Sequence, residues 1–398
     1  MIRGVFFARI FAKTPHGGFV LIQINGKYSD AMIMCIGDEA DGNVDQYAIA
    51  QIKMICDTEA AKGSNIRVMP DVHPGKVGPI GLTMTVKDAV IPALLGIDIG
   101  CGMSMVRIGK VRKDFQKLDT VIRENVPVGF SIRSTAHSKA ADFDLARLLC
   151  AEHIRYGKAM LSLGTLGGGN HFIEIDVDDA GEGYLIVHTG SRHLGKEVAE
   201  YYMSEGYKYL KKHGKEDVPF ELTYLTDELL SDYLHDIAVV QEYADLNRSI
   251  IIRVIAKGMK WKCKEIHSCI HNYADFDGNE PILRKGAISA KKNEDVIIPI
   301  NMRDGVILGK GKGNEEWNCS APHGAGRLTS REQTLKSHTV SEFKASMKGI
   351  YSSCISKDTL DEAPFAYRNI DYIKDAVAES VDITKILKPV YNYKGGNA

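Results

Sequence analysis

Val187-His188-Thr189-Gly190-Ser191-Arg192-His193-Leu194-Gly195-Lys196-Glu197 is the stretch on which the reading of the fold turns. It joins Tyr184 to His188, which reads as a short strand, to Lys196 to Lys212, which reads as a helix. Strand, glycine turn and helix nearly spell the phosphate-loop pattern G-x-x-x-x-G-K-[ST]. A true phosphate loop would make the chain an NTPase in which Lys196 handles the nucleotide. Glu197 stands where a Ser or Thr would hold magnesium, and a carboxylate there repels phosphate. The stretch is a mimic, and His188, at the strand end, is its better-placed functional group.

Outward from this point the elements are mixed. Phe6 to Ile10, Phe19 to Ile24 and Ala31 to Ile36 alternate as strands between glycine turns. Gln46 to Lys62 has helical spacing with Gly63 as its stop, and Asp227 to Lys260 is a long helical stretch. From Ile66 to about Arg107 short apolar runs alternate with sharp turns; strands return from Ile266 to Ile307, and helices are expected to close the chain. Strands and helices without strict βαβ alternation predict a mixed α/β (α+β) fold, with central β-sheets surrounded by helices. One domain over 1–398 is expected, with 1–45 a strand-rich N-terminal segment.

Bulk properties narrow the class. The 398 residues carry a net charge of −1, so no global basic field advertises nucleic acid, and an RNA site would have to be a local patch. The eight cysteines include no Cys-x-x-Cys pair, which favours reduced thiols in a cytoplasmic protein over a disulfide scaffold. No stretch approaches the ~20 apolar residues of a membrane span, and Arg9 interrupts the apolar N-terminus.

Chemistry-bearing residues gather in further glycine-rich clusters. In Gly96-Ile97-Asp98-Ile99-Gly100-Cys101-Gly102 a turn could aim a carboxylate and a thiolate at one point; a structural cysteine beside a turn aspartate is the ordinary alternative. Gly167-Gly168-Gly169-Asn170-His171-Phe172-Ile173-Glu174 permits close backbone approach to phosphate, with His171 placed as a metal ligand. If His267 to Tyr273 is extended, His267, Cys269 and His271 share one face, although a half-buried strand explains the spacing equally well. Pro322-His323-Gly324-Ala325-Gly326-Arg327 leaves a histidine with little steric cover, open to a phosphorus centre, with Arg327 able to neutralise phosphate oxygens. Together these residues suit Mn²⁺ or Zn²⁺ and point to a metal-dependent enzyme acting on phosphates.

The sequence resembles the RtcB family of RNA ligases. The likeness rests on Met-Pro-Asp-Val-His-Pro-Gly-Lys (69–76), Asp-Ile-Gly-Cys-Gly-Met (98–103), Leu-Gly-Thr-Leu-Gly-Gly-Gly-Asn-His-Phe-Ile-Glu (163–174) and His-Thr-Gly-Ser-Arg (188–192). Ala-Asp-Leu-Asn-Arg (244–248), His-Asn-Tyr (271–273), Arg-Lys-Gly-Ala-Ile-Ser-Ala (284–290), His-Gly-Ala-Gly-Arg (323–327) and Lys-Gly (394–395) follow in family order. The resemblance implies two Mn²⁺ ions held by Asp98, Cys101, His171, His188 and His271, with Cys101 bridging, and it demotes His267 and Cys269. It implies GTP as the nucleotide and His323 as the guanylylated residue. Asn170, Phe172, Glu174, Asn272, Gly324, Ala325, Gly326 and Lys394 match nucleotide contacts, and Arg192 and Arg327 match phosphate-handling arginines.

The implied reaction joins RNA 3′-phosphate or 2′,3′-cyclic phosphate ends to 5′-hydroxyl ends through a histidine–GMP intermediate, in RNA repair or tRNA splicing. An archease-like activator is a possible partner by the same resemblance. The alternative is a binuclear metallophosphoesterase with no covalent nucleotide. The chain departs from the family at Asn301-Met302-Arg303-Asp304-Gly305, at Val306 and at Pro322. These departures spare the nucleophile and ligands but bear on guanosine contacts, and they resemble a divergent RNA-repair branch. Lysines around Trp261 (Lys257, Lys260, Lys262, Lys264) and Lys208, Lys211 and Lys212 among tyrosines are candidates for RNA contact, although solvated helix faces explain them more simply.

Overall fold

A computed structural model describes residues 7–14, 17–36 and 44–395. Phe6, where the first strand was expected to begin, lies outside them. β2 (Gly17–Asn25) runs antiparallel to both its neighbours, β1 (Phe7–Thr14) and β3 (Asp30–Ile36). Helix α1 (Gln46–Cys56) leads to β4 (Ile66–His73) and β5 (Ile80–Thr85), with β4 pairing parallel to β3. The one-turn α2 (Pro92–Leu95) precedes β6 (Gly102–Lys110), and α3 (Phe115–Asn125) and α4 (Tyr156–Ser162) precede β7 (Phe172–Val177) and β8 (Glu182–Thr189). Then come α5 (Arg192–Lys212), α6 (Asp227–Met259), β9 (Ile266–Ile270), β10 (Asn272–Asp275) and β11 (Ile282–Lys285). β12 (Ala287–Ser289), β13 (Asp295–Asn301), β14 (Gly305–Gly311) and β15 (Ser320–Pro322) follow; short helices lead to β16 (Val381–Lys394).

One sheet has the order β1-β2-β3-β4-β5-β11-β10, and another β13-β14-β16-β7-β8-β6-β9. The second sheet is antiparallel throughout, and its edges β9 and β13 approach each other, so it curls around an apolar interior. Strand alternation sorts its side chains. Met103, Met105, Tyr184 and Ile186 face the interior, where they pack with Ile298, Val306 and Leu387. Val106, Ile173, Ile175, Leu185 and Val187 face outward and are covered by Leu118 and Ile122 of α3 and Ile251, Ile252 and Ile255 of α6. On the same alternation Glu174 and Asp176 belong to the inner face, an unusual lining for an apolar barrel.

Three local expectations change. α1 ends at Cys56 because the Cys56 carbonyl accepts the N–H groups of Tyr28 and Ser29, and only a 3-10 turn, Glu59–Ala61, continues it. α5 begins at Arg192, four residues before Lys196. The chain ends on the strand β16 rather than on helices, its tyrosines Tyr391 and Tyr393 buried under α3 and α6. All eight cysteines are free thiols. Among the described residues no helix is long and apolar enough to cross a membrane.

Candidate active site

The loop between α2 and β6 carries Asp98 and Cys101 to the mouth of the curled sheet. The helix α6 fixes it. Arg248, fully buried, donates to the Gly100 carbonyl (2.7 Å), the Thr189 carbonyl (3.0 Å) and Ser104 Oγ (2.9 Å). Its neighbour Asn247 accepts from the Gly164 and Thr165 amides and donates to the Thr165 and Gly190 carbonyls. One helical turn thus ties together three loops. Gly190, the first glycine of the phosphate-loop mimic, has a role here. A Cβ on it would lie 2.1 Å from Asp98 Oδ1, so its bare backbone makes room for that carboxylate. Lys196 instead pairs with Glu200 on the helix surface, and Glu197 with Arg155 and His193.

Five side chains converge in a row. His171 Nε2 lies 3.1 Å from Asp98 Oδ2 and 3.5 Å from Cys101 Sγ. Cys101 Sγ lies 3.4 Å from His188 Nε2, which is 3.3 Å from His271 Nε2. Backbone carbonyls dictate the tautomers: His171 Nδ1 is 3.0 Å from the Leu166 carbonyl and His188 Nδ1 is 3.1 Å from that of Asn170. Each Nδ1 therefore donates its hydrogen, which leaves Nε2 as a bare lone pair. Lone pairs packed against a thiol and a carboxylate repel unless a cation sits among them. The spacings also match the edges, roughly 3.3 to 3.8 Å, of a tetrahedron built on Zn- or Mn-like bonds of about 2.0 to 2.3 Å. Cys101, His171 and His188 bring their donor atoms within 4.8 Å of one another.

The electrostatics agree. Burial, then the Asp98 charge, pushes the Cys101 thiol up. Burial and neighbouring imidazoles hold His188 and His271 well below the ordinary histidine range. Burial opposes ionisation of Asp98, but its close contacts with His171 and Cys101 and the Lys285 charge outweigh it and keep its carboxyl low. Neutral imidazoles beside an ionised carboxylate form a ligand set for a divalent cation.

His323 follows β15 and sits across from His271, ring centroids 5.0 Å apart. Its Nδ1 is 2.7 Å from Asp71 Oδ2 on β4, a carboxylate that is itself buried. With Nδ1 donating to Asp71, Nε2 keeps its lone pair. His323 lines a cavity of ≈ 150 Å³ together with His188, His271, Asn170, Phe172, Glu174, Gly324, Ala325, Gly326, Arg327 and Lys394. Among the described residues, a larger cleft of ≈ 1030 Å³ between α1 and Leu222 is lined by no histidine or cysteine.

Two residues expected at the nucleotide and phosphate site lie elsewhere. Asn272 does not line the cavity; its amide donates to the Asp98 carbonyl (3.4 Å) and accepts from the Gly286 amide (2.9 Å), bracing the ligand loop. Arg192 lines a second cavity, of ≈ 490 Å³, on the far side of Asp98 and His171, with Lys158, Lys196 and Phe130. It is held there by Thr165 Oγ1 (3.0 Å) and the Gly129 carbonyl (2.6 Å), with a positive φ of 55°. The row of donors is thus a wall between two cavities. Of the demoted pair, Cys269 is buried in the apolar interior and His267 is exposed on β9.

Other residues of the site were not foreseen. Asp71 lies in the 69–76 motif, and its place two residues before His73 in a strand was the available signal. Glu362 carries none, coming from a 3-10 turn with no motif. It gathers Lys394 (2.8 Å), Arg331 (2.6 Å), Arg327 (3.3 Å) and the Tyr367 hydroxyl (2.6 Å) at the cavity wall. Burial alone would raise its carboxyl; Lys394 and Arg331 outweigh burial and bring it down to about 2.

With this geometry in place, comparison with known proteins is direct. The family profile described as "tRNA-splicing ligase RtcB" matches residues 51–153 and 146–395. The "RNA-splicing ligase RtcB" of Escherichia coli K12 is 32% identical over 369 residues, covering 83% of this chain and 90% of its own. The "tRNA-splicing ligase RtcB" of Nanoarchaeum equitans is 27% identical over 422 residues, covering 82% of this chain and 87% of its own. That of Pyrobaculum aerophilum is 26% identical over 424 residues, with the same coverage of each.

Proposed function

The chain belongs to the RtcB family, and on that premise we propose that it is a GTP-dependent RNA ligase working through a histidine–guanylate on His323. The observation that carries this reading is His323 itself. Its Nδ1 is tied to a buried carboxylate and its Nε2 opens on a cavity that also holds two of the converged imidazoles. His323 Nε2 attacks the α-phosphorus of GTP, the bond to pyrophosphate breaks, and Asp71 stabilises the imidazolium character that develops. A 3′-phosphate oxygen of RNA then attacks the same phosphorus, and the P–N bond breaks. Finally a 5′-hydroxyl attacks the activated 3′-phosphate, loses its proton and expels GMP. A 2′,3′-cyclic end is first hydrolysed to the 3′-phosphate.

Asp98, Cys101 and His171 would hold one Mn²⁺ and Cys101, His188 and His271 a second; bound there, the ions supply positive charge for phosphate oxygens. Arg327, Lys394 and the Gly324 to Gly326 backbone serve the nucleotide cavity. Arg192 serves the second cavity, where Lys158, Lys196 and the almost fully exposed Phe130 suit an RNA end. The chain works in the cytoplasm as one ligase domain over 1–398, on broken RNA or in tRNA splicing, with an archease-like activator as a candidate partner. Incubation with Mn²⁺ and GTP labelled at the α-phosphate tests the reading. The expected result is an acid-labile protein–GMP adduct that His323→Ala eliminates; no adduct with any divalent metal or nucleotide would sink it.

A further inference from the structure

The floor of the nucleotide cavity contains an oddity that the proposed chemistry leaves unused. Glu174 and Asp176 sit two apart on the inner face of β7, 2% and 0% exposed, in an interior otherwise built from residues such as Ile298, Val306 and Leu387. Glu174 Oε2 accepts from the Asn392 amide, directly across on β16. Among the described residues no donor meets Glu174 Oε1 or either oxygen of Asp176. Among the described residues, the group in hydrogen-bond reach of Asp176 is the Glu174 carboxyl itself.

Other charged or titratable groups on the surrounding strands are engaged elsewhere or uncharged. Tyr184, opposite Asp176 on β8, donates to Asp178, which also holds Lys385 of β16. Lys394 of β16 donates to Glu362, and its charge favours ionisation of Glu174 but is outweighed by burial and Asp176. Cys269 of β9 has its thiol pushed up to about 11 by burial, and His188 of β8 stays neutral. Two carboxylates this deep cannot both be ionised with three oxygens unmet. A single proton between them removes the conflict, since an acid can donate to the neighbouring carboxylate. Burial pushes the Asp176 carboxyl up to about 7 and, with Asp176 beside it, Glu174 well above the usual range.

We propose that Asp176 is a specificity-positioning residue, an internal proton acceptor that lets Glu174 become ionised when a nucleobase edge with two N–H donors enters the cavity. The inference rests on the ligase reading above. Glu174 lines the cavity and Asp176 lies beneath it. A guanine-type edge presents two hydrogens, which a protonated carboxyl cannot fully accept and an ionised one can. The shared proton then moves from Glu174 to Asp176 and stays inside the protein. Above pH about 7 the pair holds a single proton and nothing is released to solvent, so base recognition there is insensitive to pH. Without Asp176 the proton on Glu174 has only solvent to go to, and binding becomes linked to its release.

The test measures binding of α,β-methylene-GTP, which cannot transfer its nucleotide, to the manganese-loaded protein from pH 7.5 to 8.5, where the pair holds one proton. The α,β-methylene-ATP analogue is the control. Relative to wild type, Asp176→Leu and the isosteric Asp176→Asn should each make guanine-analogue affinity climb with pH, by about tenfold per unit for one linked proton. Affinity for the adenine analogue should keep its wild-type pH profile. Asp176→Asn carries the test if the leucine variant does not fold. Identical pH slopes in wild type and both variants would overturn the proposal, as would equal weakening of both analogues with no change of slope. A wild type with no preference for the guanine analogue would instead overturn the nucleotide assignment beneath it.

Discussion

At the scale of single residues the site depends on which nitrogen of each histidine is committed. His171 and His188 spend Nδ1 on backbone carbonyls, and His323 spends it on Asp71. Sequence showed that these histidines sit among glycines but not how their rings point, because orientation comes from partners far away in the chain. Asp71 and His323 are 252 residues apart. Replacing Asp71 by Asn keeps the shape but removes the charge that stabilises the imidazolium. We expect adduct formation to slow by about ten- to a hundredfold, the scale of a lost charged hydrogen bond, with bound metal unchanged. Single-turnover labelling with GTP and elemental analysis of the same sample check both halves. The proposed ligand assignment, in which both ions would share Cys101, gives a second prediction. Cys101→Ala should empty both metal positions, whereas His271→Ala should leave close to one ion per chain; a stoichiometry that falls equally in both variants would remove the bridge.

At the scale of elements, legibility followed length and periodicity. The 33 residues of α6 repeat their apolar spacing for many turns, and the expected helix from Asp227 to Lys260 matches the observed one to within one residue. α5 starts four residues before the expected Lys196, and Gly195, which reads as part of the turn, lies buried inside its first turn. β16 was expected to be helical, since its alternation is blurred by register shifts at Thr384 and Val390. The same helix α6 that was easiest to read has a function that was not. Asn247 and Arg248 meet loops from three distant parts of the sequence, and only a packed structure shows that. Asn247→Ala leaves two buried amides and two buried carbonyls without their side-chain partner. An unmet buried group costs about 1 to 3 kcal/mol, so denaturant unfolding should show a loss of at least that size. Metal affinity should fall with it, because Gly190 and the 164–165 loop lose their anchor.

At the scale of the whole molecule, the cavity exists because the sheet curls and because the last strand returns to its centre. β16 lies between β14 and β7, so Asn392 and Lys394 arrive beside Phe172 and Glu174 from more than 200 residues away. A mixed fold with central sheets was legible from the strand and helix patterns; the strand order was not, since register is set by pairing between segments that say nothing of each other. The closure is completed by Lys394 and Glu362, whose contact pins the chain end to the turn beside Arg327 and Arg331. The Glu362 carboxyl is depressed to about 2 against an ordinary value of 4.5. Its contribution to stability is therefore complete above the unfolded value and is lost as pH falls through the folded one. That window, between pH about 4.5 and 2, carries on the order of 3 kcal/mol for this one group. Glu362→Gln should lower stability at neutral pH and flatten its acid dependence over that window, because the amide has no proton to gain. Urea unfolding at pH 7 and at pH 3 measures the difference directly. If the variant and wild type lose stability in parallel on acidification, the ion pair does not hold the chain end, and Lys394 reaches the cavity through the β16–β7 pairing alone.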